Sequence, residues 1–321
     1  MHAIQVTQHG GPERLRYGAL EDPAPQAGEL LVRVAAAGVN FVDVYQREGR
    51  YQVPLPFVAG SEAAGQVVSL GAGIEGFAVG DRVAWNGVLG AYAELQRVPA
   101  ARAVRVPDGV SARQAAAVLL QGMTAHYLSH DAFPLSRGHA CLVHAAAGGT
   151  GLLLVQMARR LGARVIGTVS SEEKAERARA AGADEVIRYD REDFVERVRE
   201  LAEAGVDVIY DGVGQATFER GLEALKPRGT MVLFGAASGP VGPFDPDLLV
   251  RHGSLFLTRP SLQHYVARRD ELERRSGDVF AWVASGELTV RIDSERPLAE
   301  AAEAHRRLES RASSGKLLLI P

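Results

Sequence analysis

From about residue 138 to residue 260, short apolar runs alternate with stretches of helical spacing. The apolar runs span 140–144, 164–168, 185–187, 206–210, 230–234 and 254–257. The intervening stretches include 151–161 and 171–181, where apolar residues recur on one helical face. Strands that alternate with helices form βαβ units around a parallel sheet. Six such strands predict a doubly wound α/β domain.

A glycine-rich turn, Ala-Ala-Gly-Gly-Thr-Gly at 146–151, follows the first predicted strand and opens the first predicted helix. In this context the N–H groups at the helix start can face a pyrophosphate, and glycine lets the backbone approach it closely. We therefore expect a dinucleotide on the backbone of Ala147, Gly148, Gly149, Thr150 and Gly151. An ordinary strand–helix turn without a ligand is the alternative, and the six-strand frame disfavours it.

The end of the second predicted strand indicates which dinucleotide binds. An acidic side chain there would hold the ribose 2′-hydroxyl of NAD(H), but residues 168–171 are Thr-Val-Ser-Ser. The Ser170 hydroxyl and the Lys174 ammonium can instead bind a 2′-phosphate, and Tyr189 could cover that phosphate or the adenine. The pattern favours NADPH over NADH. The alternative for Lys174 is a solvated helix position beside two glutamates.

The remainder of the chain predicts a second domain. Residues 1–121 carry short strand-like runs broken by glycine and proline, which is typical of a small barrel or partly open roll. A helix is predicted over 111–128, with Ser111 as its N-cap. Helical runs near 262–284 and 298–310 precede a strand at 316–320, so we expect both ends of the chain to build one domain. A length of 321 residues favours two domains over one.

Composition narrows the possible partners. The net charge is −3, so no strong positive field favours nucleic acid or an anionic membrane. No run approaches the roughly 20 apolar residues of a membrane span, and the N-terminus lacks a targeting pattern, so we expect a cytoplasmic protein. The single cysteine, Cys141, excludes an intramolecular disulfide and a zinc site built from cysteines.

The run from Gly138 to Arg159 resembles the signature of the zinc-independent quinone oxidoreductases, the zeta-crystallin-like branch of the medium-chain dehydrogenase/reductases. The resemblance extends to the segments 9–13, 38–45, 60–65, 210–214 and 258–261 and to the C-terminal Leu-Ile-Pro. It implies a GroES-like catalytic domain from residues 1–122 and 265–321, and a Rossmann NADPH-binding domain from residues 123–264. It also implies a cleft between the domains and a homodimer.

The resemblance assigns roles to individual residues. Zinc-dependent relatives carry a cysteine and a histidine where this chain has Asn40 and Ser61, so no metal is expected. Gln121 stands where close relatives carry lysine. Cofactor contacts carry over to Asn40 and Thr124 near the nicotinamide, Gly148 to Gly151 at the pyrophosphate, Ser170, Lys174 and Tyr189 around the adenosine phosphate, and the loops with Phe234, Gly235, Phe256 and Thr258.

Hydride transfer to a quinone needs mainly a cofactor held in line with an electron-poor acceptor. Hydrogen-bond donors near the acceptor oxygen would add stabilisation, and the catalytic candidates are Asn40, Tyr45, Tyr51 and Arg259. Either tyrosine could supply a proton or only line the pocket. We expect Asp43 to be a structural acceptor rather than a base. Lys316 could reach toward the cofactor or be a solvated lysine of the C-terminal tail.

The leading hypothesis is an NADPH:quinone reductase whose substrate is a small quinone. Reduction of α,β-unsaturated aldehydes or ketones is the second hypothesis, because it uses the same hydride but needs protonation at carbon. A non-enzymatic, crystallin-type role as an NADPH-binding structural or nucleic-acid-binding protein is the third. The net negative charge argues against binding of nucleic acid, and no membrane partner is expected.

Overall fold

The computed structural model describes residues 1–321, which divide into two compact units. The first, called here the catalytic unit, contains Met1–Gln121 and Ala267–Pro321. The second, the nucleotide unit, contains Gly122–Val266. The two ends of the chain therefore share one unit, and the predicted boundaries at 122 and 265 lie within two residues of these divisions.

The nucleotide unit is built on a six-stranded sheet in which every pairing is parallel. Its strands are β9 (Ala140–Val143), β10 (Arg164–Val169), β11 (Glu185–Arg188), β12 (Val206–Asp211), β13 (Leu225–Leu233) and β14 (Phe256–Thr258). The strand order is β11-β10-β9-β12-β13-β14. From β9 the chain adds β10 and β11 on one side and then β12, β13 and β14 on the other, so the strand order reverses between β9 and β12. Open α/β sheets bind their ligands in the crevice at such a point. The predicted α/β class, with a doubly wound sheet, is confirmed.

Helices connect these strands: α3 (Gly149–Arg160), α4 (Glu172–Ala180), α5 (Phe194–Leu201), α6 (Phe218–Glu223), α7 (Asp247–Arg251) and α8 (Leu262–Tyr265). Helix α3 buries its apolar residues, among them Leu152, Val155 and Ala158, which the sequence spacing had placed inward. Strand β12 is buried along its whole length. A strand covered on both faces reads as a nearly continuous apolar run, which in β12 is interrupted by Asp207 and ends at Asp211, and this run is why the sequence pattern located the strand.

The catalytic unit contains two β-sheets, and the predicted β-rich, GroES-like character of this domain is confirmed. The three-stranded sheet has the order β2 (Arg16–Ala19), β1 (His2–Val6), β4 (Phe57–Val58). The seven-stranded sheet follows the order β15 (Ile292–Pro297), β16 (Lys316–Ile320), β3 (Glu29–Val39), β5 (Glu62–Leu70), β6 (Arg82–Asn86), β8 (Ala103–Arg105), and β7 (Leu95–Pro99) also pairs with β3. Trp85 and Tyr92 are completely buried in its core.

The C-terminal strand β16 lies beside β3, and their antiparallel register pairs Leu317 with Val39 and Leu318 with Gly38.

The helices outside the nucleotide unit's own α/β repeat are α1 (Phe41–Arg47), α2 (Ala112–Tyr127), α9 (Arg269–Ala284) and α10 (Ala301–Glu309). Ser111 caps α2 as predicted, since its Oγ accepts a hydrogen bond from the Gln114 N–H at 3.2 Å. Helix α2 crosses the division between the units and continues as a π-helix over Leu128–Ala132. None of the helices combines the length and apolar character that crossing a bilayer would require.

Candidate active site

The glycine-rich turn joins β9 to α3. Gly148 is the N-cap of α3, with φ −74° and ψ 169°, and its N–H donates to the carbonyl of Ala145 at 2.8 Å. A Cβ at Gly151 would lie 2.3 Å from the same carbonyl oxygen, so the helix can approach the strand only because this residue is glycine. No side chain caps α3. The open N–H groups at its start fit a pyrophosphate, because they are donors at the positive end of the helix dipole.

Alanine at position 146 replaces the first glycine of the usual pattern, and the neighbouring strand accommodates its methyl group. Ala146 is fully buried, and a Cβ at Gly167 of β10 would lie 2.7 Å from the Ala146 Cβ. The Ala146 N–H donates to the carbonyl of Thr168 at 3.1 Å. The glycine in β10 thus provides the space that the additional methyl group of the turn needs.

Two of the residues expected at a 2′-phosphate lie together at the end of β10. Lys174 Nζ donates to Ser170 Oγ at 3.4 Å. Ser171 caps α4 by accepting the Lys174 N–H, which fixes the first turn of that helix. Tyr189 follows β11 and is 46% exposed. A hydroxyl, an ammonium group and an accessible aromatic ring therefore stand at adjacent strand ends.

Sequence reasoning missed a second cation at this edge. Arg188, the last residue of β11, pairs in register with Val169. Its guanidinium forms ion pairs with Glu172 at 3.2 Å and with Asp190 at 2.6 Å. A charged residue in register with the end of β10 would have been the signal, but register is not visible in the sequence.

The remaining expected cofactor residues of the nucleotide unit are distributed over three elements. Phe234 and Gly235 directly follow β13, and a Cβ at Gly235 would lie 2.4 Å from the Gly212 carbonyl. Thr258 ends β14, whereas Phe256 begins that strand and is 61% exposed. Thr124 lies on α2 and is buried. Phe234, Gly235 and Thr258 are thus at the carboxyl ends of their strands, and Phe256 is not.

In the catalytic unit, Asn40 belongs to a buried polar cluster with Glu62 and Lys316. Lys316 Nζ donates to Asn40 Oδ1 at 2.6 Å and to Glu62 Oε2 at 2.5 Å. Asn40 Nδ2 donates to Glu62 Oε2 at 2.9 Å and to the Gly38 carbonyl at 3.2 Å. Glu62 Oε1 accepts the Leu120 N–H of α2 at 2.6 Å. The cluster joins the start of α1 to β5, α2 and β16.

Of the two interpretations of Lys316, the solvated lysine of the C-terminal tail is wrong. Lys316 is 1% exposed, because the pairing of β16 with β3 carries it beside Asn40. Sequence analysis also gave no role to Glu62, which is fully buried. A glutamate within a run of small residues was the available signal, because a buried carboxylate needs a partner.

A second buried chain of polar groups links α1 to α10. Asp43 Oδ2 accepts the Asn40 N–H at 2.9 Å and the Tyr92 hydroxyl at 3.0 Å. The Tyr92 hydroxyl lies 3.2 Å from His305 Nε2, and His305 Nδ1 lies 3.0 Å from Arg47 Nη1. Burial raises the pKa of Asp43 to about 6, although Ser61, the Asn40 N–H and Tyr92 oppose this shift. Burial, then the Arg47 charge, lowers the pKa of His305 to about 3.

The other catalytic candidates lie in different parts of the chain. Tyr45 on α1 and Tyr51 contact edge to face, with ring centroids 5.3 Å apart, and the Arg50 guanidinium lies over the Tyr45 ring. Tyr45 is buried, whereas Tyr51 is 47% exposed. Arg259 belongs to the nucleotide unit and is exposed just after β14. The structure therefore brings the two tyrosines together within the catalytic unit.

Ser61 stands where the resemblance implied a zinc-binding histidine in relatives. It is buried, and its hydroxyl donates to Gln46 Oε1 at 3.1 Å. Nowhere in the chain do three or more histidine, cysteine, aspartate or glutamate side chains form a group that could hold a metal ion.

Comparison with known proteins gives the family. Residues 26–108 match the model described as alcohol dehydrogenase GroES-like domain, and residues 149–274 match the model described as zinc-binding dehydrogenase. A quinone oxidoreductase of Salmonella typhimurium is 45% identical over 323 residues, which cover 99% of each chain. The chain belongs to the zinc-independent quinone oxidoreductase family.

Two further members of this superfamily extend the comparison. The crystal structure of Escherichia coli quinone oxidoreductase complexed with NADPH superposes with a TM-score of 0.98 at 43% identity, with both chains covered completely. A 2-haloacrylate reductase from a Burkholderia species is 41% identical, over 99% of this chain and 98% of its own. The resemblance inferred from the sequence motifs is confirmed, and the chain is an oxidoreductase.

Proposed function

We propose that this protein is an NADPH-dependent quinone reductase that transfers hydride from NADPH to a small quinone without a metal. Its membership of the family supports the reaction. The observation that carries the choice of cofactor is the pairing of Lys174 with Ser170 at the end of β10, where residues 168–171 include no acidic side chain to hold the ribose 2′-hydroxyl of NADH. Asn40 and Ser61 supply neither thiolate nor imidazole, so the proposal assigns no metal to the reaction.

When bound, NADPH supplies the hydride. The backbone from Ala147 to Gly151 holds the pyrophosphate, and Ser170, Lys174 and Tyr189 hold the adenosine phosphate. Asn40, Thr124, Phe234, Gly235 and Thr258 are the proposed contacts to the rest of the cofactor, whereas Phe256 begins β14 and is therefore left out of the proposed site. Tyr45, Tyr51 and Arg259 are the proposed groups that orient the acceptor and donate hydrogen bonds to its oxygen.

Reduction of α,β-unsaturated carbonyl compounds is a second candidate function, favoured by the similarity to a 2-haloacrylate reductase. That reaction needs a proton at carbon after the hydride arrives, and Tyr51, with its exposed ring, is the accessible acid. A crystallin-type role has less support, because two relatives that match over nearly the full length of both chains are a quinone oxidoreductase and a 2-haloacrylate reductase.

The test is an anaerobic panel of ortho- and para-quinones and of enals, each with NADPH and with NADH. We expect quinone-dependent oxidation of NADPH at a much higher kcat/KM than that of NADH. Equal rates with both nucleotides would contradict the phosphate site. Turnover with enals alone would establish the second candidate instead.

We also propose a cytoplasmic homodimer. Strand β14 is at the edge of the six-stranded sheet, and its neighbourhood exposes Phe256 and Val250, at 61% and 68%. An exposed strand edge with apolar side chains can pair with a second copy. Light scattering should give twice the monomer mass of 34.3 kDa, and Val250→Glu should shift the protein toward the monomer.

A further inference from the structure

Asn40 has no N–H group left for a substrate. Its two amide hydrogens go to Glu62 Oε2 and to the Gly38 carbonyl. The amide cannot turn over, because an ammonium group only donates and an ionised carboxylate only accepts. The oxygen must therefore face Lys316, and the nitrogen must face Glu62. Asn40 is held as a fixed part of the cluster and is not the donor that an acceptor oxygen would need.

Lys316 does have an N–H group to spare. Its Nζ carries three hydrogens, and the chain offers it two acceptors, Asn40 Oδ1 and Glu62 Oε2. A buried donor without an acceptor is costly, by roughly 1–3 kcal/mol or more for a charged group. The third N–H is therefore the available donor of the cluster. Glycine at position 38 leaves room for the lysine side chain beside Asn40, since a Cβ there would lie 2.6 Å from Lys316 Cε.

We propose that Lys316 is a catalytic residue that donates its third N–H to the acceptor oxygen which becomes negative during hydride transfer. The assignment rests on the proposed quinone reductase function. Hydride addition brings two electrons and one hydrogen to the quinone and leaves a hydroquinone monoanion, and solvent then supplies the proton that completes the hydroquinone. The ammonium keeps its protons throughout and stabilises the oxyanion by a charge-assisted hydrogen bond.

The pairing with Glu62 suits this role. Before the reaction the Glu62 carboxylate balances the Lys316 ammonium charge, so the buried ion pair has no net charge. When the oxyanion forms, a fixed cation is already present and does not have to reorient. Low exposure strengthens the effect, because little water is there to screen the charge.

The test compares Lys316→Met with Lys226→Met, which removes a lysine paired with Asp207 in the nucleotide unit. We expect Lys316→Met to lower kcat with quinones on the order of a hundredfold, as for loss of one oxyanion donor, with KM little changed. Lys226→Met should retain full kcat. The double variant Glu62→Gln/Lys316→Met removes both charges, so no unpaired carboxylate is left buried. We expect this double variant to fold even if the single variant does not, and to show the same loss of kcat.

A second readout does not depend on turnover. The pKa of 4-nitrophenol bound to the NADP⁺-saturated protein can be followed by absorbance, and we expect it to lie below its value in buffer for the wild type and for Lys226→Met only. The role of Lys316 would be overturned if the pKa of 4-nitrophenol were unshifted on the wild type, or if its shift persisted without Lys316. The proposed quinone reductase function would still stand in that case, provided that the wild type oxidises NADPH with quinones. Absence of that oxidation in the wild type would instead refute the proposed function.

Discussion

Arg47 Nη1 lies 3.0 Å from His305 Nδ1, and this contact fixes the direction of a whole chain of hydrogen bonds. Arginine can only donate, so His305 Nδ1 is the acceptor and the ring proton is on Nε2. Nε2 then donates to the Tyr92 hydroxyl, whose own proton goes to Asp43 Oδ2. All the hydrogen bonds are therefore donated in the same direction, from the guanidinium of Arg47 on α1, through His305 on α10 and the Tyr92 hydroxyl, to the carboxyl group of Asp43 on α1.

The neutral state of His305 predicts loss of stability in acid. Its pKa is lowered to about 3 in the folded protein, from an ordinary value of 6.5. The unfolded chain therefore binds this proton first, and the free energy of unfolding should fall as the pH drops below about 6.5. One proton contributes a slope of about 1.4 kcal/mol per pH unit. Urea titrations between pH 5 and pH 7 should show this slope in the difference in free energy of unfolding between the wild type and His305→Gln, whereas the difference between the wild type and His264→Gln, a control at an exposed position, should not change with pH.

Asp43 predicts the opposite dependence. Its pKa is raised to about 6, mainly by burial, from an ordinary value of 3.8. The protonated form is favoured by folding, so this contribution to stability is complete below pH 3.8 and is lost as the pH rises through about 6. Asp43→Asn should therefore gain stability relative to the wild type between pH 4 and pH 6, by up to about 1.4 kcal/mol per pH unit. The exposed Asp108→Asn is the matched control, and equal pH profiles for wild type and Asp43→Asn would contradict the prediction.

The two glycines of the cofactor turn should separate folding from binding. A Cβ at Gly151 would lie 2.3 Å from a backbone oxygen that cannot move aside, so Gly151→Ala should lower the free energy of unfolding by about 1–3 kcal/mol. A Cβ at Gly148 would lie 3.1 Å from the same oxygen, and φ there is −74°, which alanine adopts freely. Gly148→Ala should therefore cost about 1 kcal/mol or less while weakening NADPH binding. Thermal unfolding and calorimetric titration with NADPH measure the two effects, and equal destabilisation would refute the distinction.

The nucleotide unit could be predicted from the sequence because its signals are local. Each strand is a short apolar run, each helix has its own spacing, and the glycine turn lies between neighbours in the chain. The contact between Ser170 and Lys174 could be predicted in the same way, since these residues are only four positions apart in the sequence. Arg188 was missed because it reaches the same edge only through the register of β11 on β10.

The polar clusters of the catalytic unit could not be predicted, because they join residues that are distant in the chain. Lys316 contacts Asn40 across 276 positions, and Arg47 contacts His305 across 258. Both contacts depend on where the C-terminal segment packs after folding. The sequence pattern places both ends of the chain in one domain, but nothing in it gives the pairing of Leu317 with Val39 that buries Lys316.

The choice of NADPH over NADH can be tested at Lys174 without any acceptor. The ligand 2′,5′-ADP carries the 2′-phosphate and lacks the nicotinamide, so its affinity relative to 5′-ADP reports the phosphate site alone. A charge-assisted hydrogen bond contributes about 1.5–3 kcal/mol. Lys174→Ala should therefore weaken 2′,5′-ADP binding by roughly one to two orders of magnitude and leave 5′-ADP binding unchanged.

Lys226→Ala is the control for this measurement, because it also removes a lysine from the nucleotide unit but lies in β13, paired with Asp207. It should bind both ligands as the wild type does. If Lys174→Ala weakens the binding of both ligands equally, Lys174 stabilises the fold of α4 and does not bind the 2′-phosphate. If neither affinity changes, Ser170, Tyr189 and the neighbouring Arg188 hold the phosphate without it, and Lys174 is the solvated helix residue of the alternative interpretation.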